Sequence, residues 1–209
     1  MLRQRPPARL SQEIVAAKAM LERSAGRHDF HPDRIAADGS YGTGPFLAWL
    51  LKRDVKPHVP VLDRKHQTND KYDIGYFQYD PERDSYTCLE GHEMPLRRIK
   101  ENDRVKNYYA GKGTCGACPI RKACTTAPFR TVTRHMDEEA RQTVRDLKHT
   151  AAYNVSRRRR KKVEMLFAHL KRQLGLRRLR LRGLKGATKE FLLAATAQNL
   201  KRLAKLAPI

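Results

Sequence analysis

Apolar positions follow two rhythms along this chain. Ile14, Ala17 and Leu21 recur at helical spacing, which predicts a helix capped by Ser11 and running to about Arg23. The run Arg34-Ile35-Ala36-Ala37-Asp38 is short and apolar and breaks at Gly39, so it predicts a buried strand ending in an acid. Gly44-Pro45 opens a second helix, with proline in the first turn and Phe46, Trp49 and Leu50 facing inward. Residues 55–61 read as a strand that Pro57 and Pro60 confine to a sheet edge. Residues 63–75 are polar and read as loop. Two short apolar runs, 77–79 and 85–88, flank Pro81-Glu82-Arg83-Asp84, the pattern of a hairpin. Farther on, a helix capped by Asp137 shows Ala140, Val144, Leu147 and Ala151 on one face. A long basic helix over 156–174 and a last helix over 188–205 complete the pattern, and residues 1–10 read as a frayed tail.

These elements predict an α/β chain in three parts: 1–62 with helix, Asp38 strand, helix and strand; a cysteine-rich insertion over 63–135; and a helical part over 136–209. No apolar stretch reaches the length of about 18 residues that a membrane span needs. The N-terminus lacks a signal-like apolar core, which points to the cytoplasm. Charge sharpens this picture. The chain carries a net +22, and residues 151–209 alone hold 17 Lys and Arg against Glu164 and Glu190. A charge run is often only a solvated face, but two-thirds of the excess in one segment suits a surface that tracks phosphates.

Three groups of residues could carry chemistry. Glu164 lies in Arg157-Arg158-Arg159-Arg160-Lys161-Lys162-Val163-Glu164, and helical spacing puts Arg157, Arg160, Glu164 and Lys171 on one stripe. The plain reading is an Arg160–Glu164 ion pair. The alternative is a carboxylate ligand for a divalent metal held among cations that grip phosphate. Val163, Leu166, Phe167 and Leu170 form a separate apolar stripe suited to packing on a sheet. Asp38, closing its strand before Gly39-Ser40-Tyr41-Gly42, is either a turn residue or a second ligand at the mouth of a cleft. Cys115-x2-Cys118-x5-Cys124, with Cys88 upstream and His92 four residues after it, supplies the four thiolates of a structural Zn2+ site. The competing reading is four unmetallated cysteines in a packed insertion.

Taken together, Ala36-Ala37-Asp38-Gly39-Ser40-Tyr41-Gly42, the cysteine segment, Arg160 to Lys171, Arg182-Gly183 and Gln198-Asn199-Leu200 resemble the DDE transposases of bacterial insertion sequences, most closely the eleven-eighty-two group. Related transposases share a signature of Tyr, two residues, Arg, three residues, Glu, six residues, Lys. Here Arg160, Glu164 and Lys171 fit the spacing, and Arg157 stands where the tyrosine would be. The resemblance implies an RNase H-like fold, a mixed sheet with flanking helices, with an insertion between the Asp38 strand and the Glu164 helix, which the cysteine spacing would make a small zinc ribbon. It implies catalytic Asp38 and Glu164 holding Mg2+ or Mn2+, and Lys171 at a phosphate near the cleaved end. Arg157, Arg160, Arg177, Arg178 and Arg182 join it as DNA contacts. Double-stranded DNA, as terminal inverted repeats and target, is the implied partner. A homodimer is implied for the full-length form, nucleoid-associated when bound.

The resemblance also calls for an earlier catalytic aspartate on a strand well before Asp38. The first acid here is Glu13, inside the first predicted helix. The chain therefore reads as an N-terminally truncated copy, an incomplete fold with two of three carboxylates. The alternative is a non-catalytic basic zinc-ribbon protein that binds DNA or RNA. On the truncated reading, the chain alone leaves DNA carrying terminal inverted repeats uncut in Mg2+ or Mn2+, and robust cleavage would refute it. A bare edge on the Asp38 strand should also make the isolated chain melt early, so one cooperative transition at high temperature would count against that reading.

Overall fold

The computed structural model describes residues 9–62 and 71–206, so most of the expected N-terminal tail and most of the loop after residue 62 lie outside the described residues. The chain forms two compact units, Met1–Thr150 and Ala151–Ile209. The first is mixed α/β and the second is helical.

Helix α1 (Arg9–His28) is longer at both ends than the periodicity indicates, and Ser11 lies inside it rather than capping it. It continues through Ser24-Ala25-Gly26, residues without an apolar face. It ends where Asp29 turns left-handed at φ 47° and the Phe30 amide donates to the Ser24 carbonyl. Ile14, Ala17 and Leu21 do face the core. They pack on buried Phe46 and Leu50 of α2 (Gly44–Leu51), together with half-buried Trp49 and with Ile35. Pro45 sits in the first turn of α2, where its missing N–H costs nothing. Leu47, on the adjacent face of α2, packs with Val59 and with Val144 of α5 (Glu138–Leu147).

Between these helices lie β1 (Arg34–Ala36) and β2 (Lys56–His58), paired in parallel with Ile35 opposite Pro57. No third strand joins them among the described residues, so both are edges, in keeping with the prolines of β2. The strand ends at Ala36, earlier than expected, because Asp38 caps a 3-10 turn over Gly39–Tyr41.

The segment read from sequence mainly as cysteine-rich insertion is a five-stranded antiparallel sheet. β3 (Gln78–Asp80) and β4 (Ser85–Thr87) form the expected hairpin, followed by β5 (Glu93–Lys100), β6 (Val105–Tyr108) and β7 (Val132–His135), paired in that order. Buried Phe77, Tyr86, Met94, Tyr108 and Val132 form its core. A register shift between Leu96 and Arg98 bends β5 against β6.

The sheet curls, and one carboxylate records how far. Asp84 precedes β4, yet it accepts hydrogen bonds from Tyr79 of β3 (2.8 Å) and from Tyr108 of β6 (2.7 Å), two strands beyond β4. Lys106 of β6 adds an ion pair at 2.7 Å. The rings of Tyr79, Tyr86 and Tyr108 pack around this point with centroids 5.0–6.3 Å apart, geometry that favours aromatic pairs. Behind β7, Asp137 does not cap α5 with its side chain as expected. Its carboxylate instead accepts from Arg104 at 3.0–3.3 Å. Glu138 and Glu139 occupy the first turn, where the helix dipole favours negative charge.

In the second unit, α6 (Ala151–Arg172) starts five residues before the expected basic helix, so Ala151 belongs to it and not to the face of α5. α7 (Gly183–Leu206) likewise begins earlier than expected. The apolar stripe on α6 does not rest on a sheet in this unit, which has no strand. Val163, Leu166 and Phe167 remain 41–50% exposed, and of the four only Leu170 is buried. α7 meets α6 through Gln198, whose amide reaches the Leu166 carbonyl (2.9 Å) and His169 Nδ1 (3.2 Å). Among the described residues, no helix is long and apolar enough to cross a membrane.

The Asp84 cluster makes a pH prediction. Burial pushes the Asp84 carboxyl up, but hydrogen bonds from Lys106, Tyr108 and Tyr79 and the Lys106 charge win, holding it at about 2 instead of 3.8. A depressed folded pKa gives stability that is present above the unfolded value and lost as pH falls through the folded one. With partial solvent screening, Asp84 contributes about 1–2 kcal/mol at neutral pH, lost between about pH 4 and 2. Asp84→Asn keeps the left-handed backbone that this position adopts. It should lower the neutral melting temperature and flatten the acid limb of the stability curve. Acid melting curves identical to the unsubstituted protein would disprove this role.

Candidate nucleic-acid interface

A polyanion needs a surface where cations outnumber acids and stay accessible. The unit of α6 and α7 has this surface. Arg157, Arg158, Arg159, Lys161, Lys162 and Lys171 of α6 are exposed, as are Arg177, Arg178 and Arg182 on the connection to α7. That connection is shaped by Gly175 and Gly183, both at positive φ. Glu190, the only acid of this unit besides Glu164, turns inward instead of neutralising the surface. Its Oε2 accepts from the backbone amides of Arg180 (2.8 Å) and Leu181 (3.1 Å), pinning the connection.

Glu164 points outward from the middle of α6 with 64% of its side chain exposed, and Arg160 Nε lies 3.4 Å from its Oε1. The i,i+4 pair expected from spacing is therefore present. Exposed pairs of this kind contribute only about 0.3–0.5 kcal/mol, so the carboxylate is readily available to another cation.

Asp38 belongs to the first unit. Its Oδ1 accepts from the Ser40 amide at 2.9 Å and from the Ser40 hydroxyl. The turn reading of Asp38 thus describes its local geometry, and it also fixes where the carboxylate is held. Gly42 closes the turn, its amide donating to the Gly39 carbonyl at 3.0 Å. A Cβ at Gly42 would lie 2.1 Å from the Pro60 carbonyl oxygen, which only glycine allows. One neighbour was not anticipated from sequence. The Tyr41 hydroxyl is raised by burial, then by the charges of Glu13 on α1 and of Asp38, so α1 brings a second carboxylate to this turn. The sequence signal was an acid at Glu13 beside Ile14 and Ala17 on the apolar side of the first helix.

The cysteines come together. Cys88, Cys115, Cys118 and Cys124, with His92, line one cavity of about 30 Å³ beside the sheet core. Two short helices, α3 (Lys112–Gly116) and α4 (Arg121–Cys124), carry three of them. Burial raises the Cys124 thiol; Arg130 pulls it down, and Cys115, Cys118 and Cys88 each push it up. All four are free thiols, half-buried. They surround the cavity without closing on one point, and no group of three or more His, Cys, Asp or Glu side chains among the described residues is already set to hold a metal ion.

Mg2+ and Mn2+ take hard oxygen donors, and Asp38 and Glu164 each carry a carboxylate on its own unit. Both bonds described for Asp38 fall on Oδ1, and the Glu164 pair falls on Oε1, so each carboxylate has a second oxygen outside these contacts.

No curated protein and no solved structure is a significant match to the chain. A family model described as a transposase DDE domain matches residues 87–204, more than half of the sequence. The matched span takes in the cysteines, β5 to β7, and the α6 helix with Glu164 and Lys171, whereas Asp38 precedes it. A basic helical surface with an outward glutamate, following a cysteine-bearing sheet, thus lies inside the matched region, and the chain belongs to the transposase DDE domain family.

Proposed function

We propose that the chain is part of the DNA strand cleavage and transfer machinery of a bacterial insertion sequence of the eleven-eighty-two group, on an RNase H-like core, and is not active alone. The observation that carries this reading is Glu164, exposed on α6 among phosphate-binding cations inside the matched family region. Asp38 and Glu164 supply carboxylate oxygens to Mg2+ or Mn2+. Bound divalent ions stabilise the attacking and leaving oxygens of an in-line displacement at phosphorus. Arg157, Arg160, Arg177, Arg178 and Arg182 track the backbone of the terminal inverted repeats and target DNA, and Lys171 holds a phosphate near the cleaved end. Two copies of the full-length protein work on paired ends.

Metal binding can be tested without turnover. Fe2+ in place of Mg2+, with ascorbate and peroxide, cuts polypeptide beside the ion. Fragments ending near residues 38 and 164 are expected, and Glu164→Gln should suppress both sets. Cuts absent from both places, or unchanged in Glu164→Gln, would overturn the assignment.

The DNA surface is tested by salt. Affinity for a terminal-repeat duplex, followed by fluorescence anisotropy, should fall steeply with ionic strength. Arg157→Ala combined with Arg178→Ala should flatten the log–log slope by about 1.8, as two phosphate contacts are lost. An unchanged slope would remove these arginines from the interface.

A further inference from the structure

The segment 109–131, between β6 and β7, raises a packing problem. None of its residues is buried, from Tyr109 to Thr131. Its regular structure is one helix of five residues and one of four, both too short to be stable in water unaided. The Tyr109 amide, donating to the Pro95 carbonyl of β5 (3.4 Å), ties its start to the sheet, and the side-chain hydrogen bonds lie within the segment or reach the chain before β3. Arg130 donates to the Cys124 carbonyl (3.3 Å) and to the Tyr72 carbonyl (2.6 Å), and Lys71 reaches the Lys122 carbonyl (2.6 Å). Beyond Ala110 and Cys124 against the sheet core and a Tyr109–Phe129 pair, the stretch has little apolar packing to offset the entropy of ordering it, which is the situation in which small domains use a crosslink.

The cysteines stand where that crosslink would act. Cys115 and Cys118 flank a tight turn in which the Cys118 amide donates to the Cys115 carbonyl (3.4 Å), and Cys124 ends α4. Cys88 comes from the sheet itself. Just after β4, its amide donates to the His92 carbonyl (3.0 Å), and the Gly91 amide returns to the Cys88 carbonyl (2.9 Å) around a left-handed glycine. All four cysteines line the same small cavity. A cysteine swings its sulfur about a single χ1 torsion, which is the motion by which thiols lining one cavity close on an ion.

We propose that Cys88, Cys115, Cys118 and Cys124 bind one structural Zn2+ as four thiolates, clasping segment 109–131 to the β3–β7 sheet. Four sulfur donors fit the tetrahedral preference of zinc, and the apolar surroundings of Phe77, Met94 and Ile120 exclude competing water. His92 lines the cavity but is exposed, whereas the thiols are half-buried, so His92 is not a ligand. This site is separate from the carboxylates of the strand-transfer reading and stands or falls independently of it.

The test uses the full chain, purified without chelator from zinc-supplemented medium. Elemental analysis should find about one zinc per chain. Titration with an organomercurial should release it, read with a zinc-sensitive dye, as the four thiols are consumed. Cys88→Ser and Cys118→Ser should each drop the zinc content several-fold, and His92→Ala should leave it unchanged. Should the serine variants fail to fold, the unsubstituted protein still decides: Co2+ exchange should give the intense d–d bands of a tetrahedral site with thiolate charge transfer. Folded protein that stays zinc-free after refolding with Zn2+, with all four thiols alkylated equally fast with and without chelator, would overturn the proposal. So would zinc loss in His92→Ala with retention in Cys88→Ser.

Discussion

The curl of the five-stranded sheet depends on a single buried-side carboxylate. Asp84 bonds at once to its own hairpin and to β6, so strands separated in the sheet order are drawn over one another. Without that closure the tyrosine cluster would face water. Lone ion pairs at a surface do little of this kind. This one is fixed by two phenols that also form the core, so the polar and apolar terms reinforce each other. Cys88, just after β4, lines one cavity with the three cysteines of the segment after β6.

The helical unit is governed by charge rather than by burial. Its apolar residues are numerous, but few are covered, and Gln198 of α7 makes polar contacts to Leu166 and His169 of α6. Its cations repel one another, and phosphate contact relieves that repulsion while releasing counterions from the nucleic acid. Surface and binding energy are thus the same quantity here. Membership of the transposase DDE domain family gives that surface its partner class.

Much of this was legible in the residues, for reasons that can be named. The β3–β4 hairpin was visible because Pro81 to Asp84 is a turn sequence between two apolar runs. Ile14, Ala17 and Leu21 kept strict helical spacing, and the structure packs all three on α2. β5 to β7 were not legible. β5 reads Glu93-Met94-Pro95-Leu96-Arg97-Arg98-Ile99-Lys100, where a proline and a register shift destroy the alternation, and Met94 and Leu96 are opposed by Tyr86 and Tyr108 on the two flanking strands. Helix ends were misplaced wherever Ser, Ala or Gly continued a helix without an apolar face, as at Ser24 to Gly26 and at Ala151. Cys88 looked isolated because its neighbours come from the segment after β6, which leaves no mark on local spacing. The Asp38 turn was anticipated as a motif, but the approach of Glu13 to Tyr41 of that turn depends on how α1 lies against it, which only tertiary structure reveals.

The close approach at Gly42 has a wider consequence. Because the Pro60 carbonyl occupies the space a side chain would need, the loop bearing Asp38 is indexed to the chain that follows β2. The Leu62 amide returns to the Gly42 carbonyl at 3.2 Å and fixes the other side of that junction. The aspartate therefore has little slack of its own. Any displacement of the stretch from β2 to Leu62 is transmitted to its carboxylate, as the bearing of a lever sets the reach of its tip.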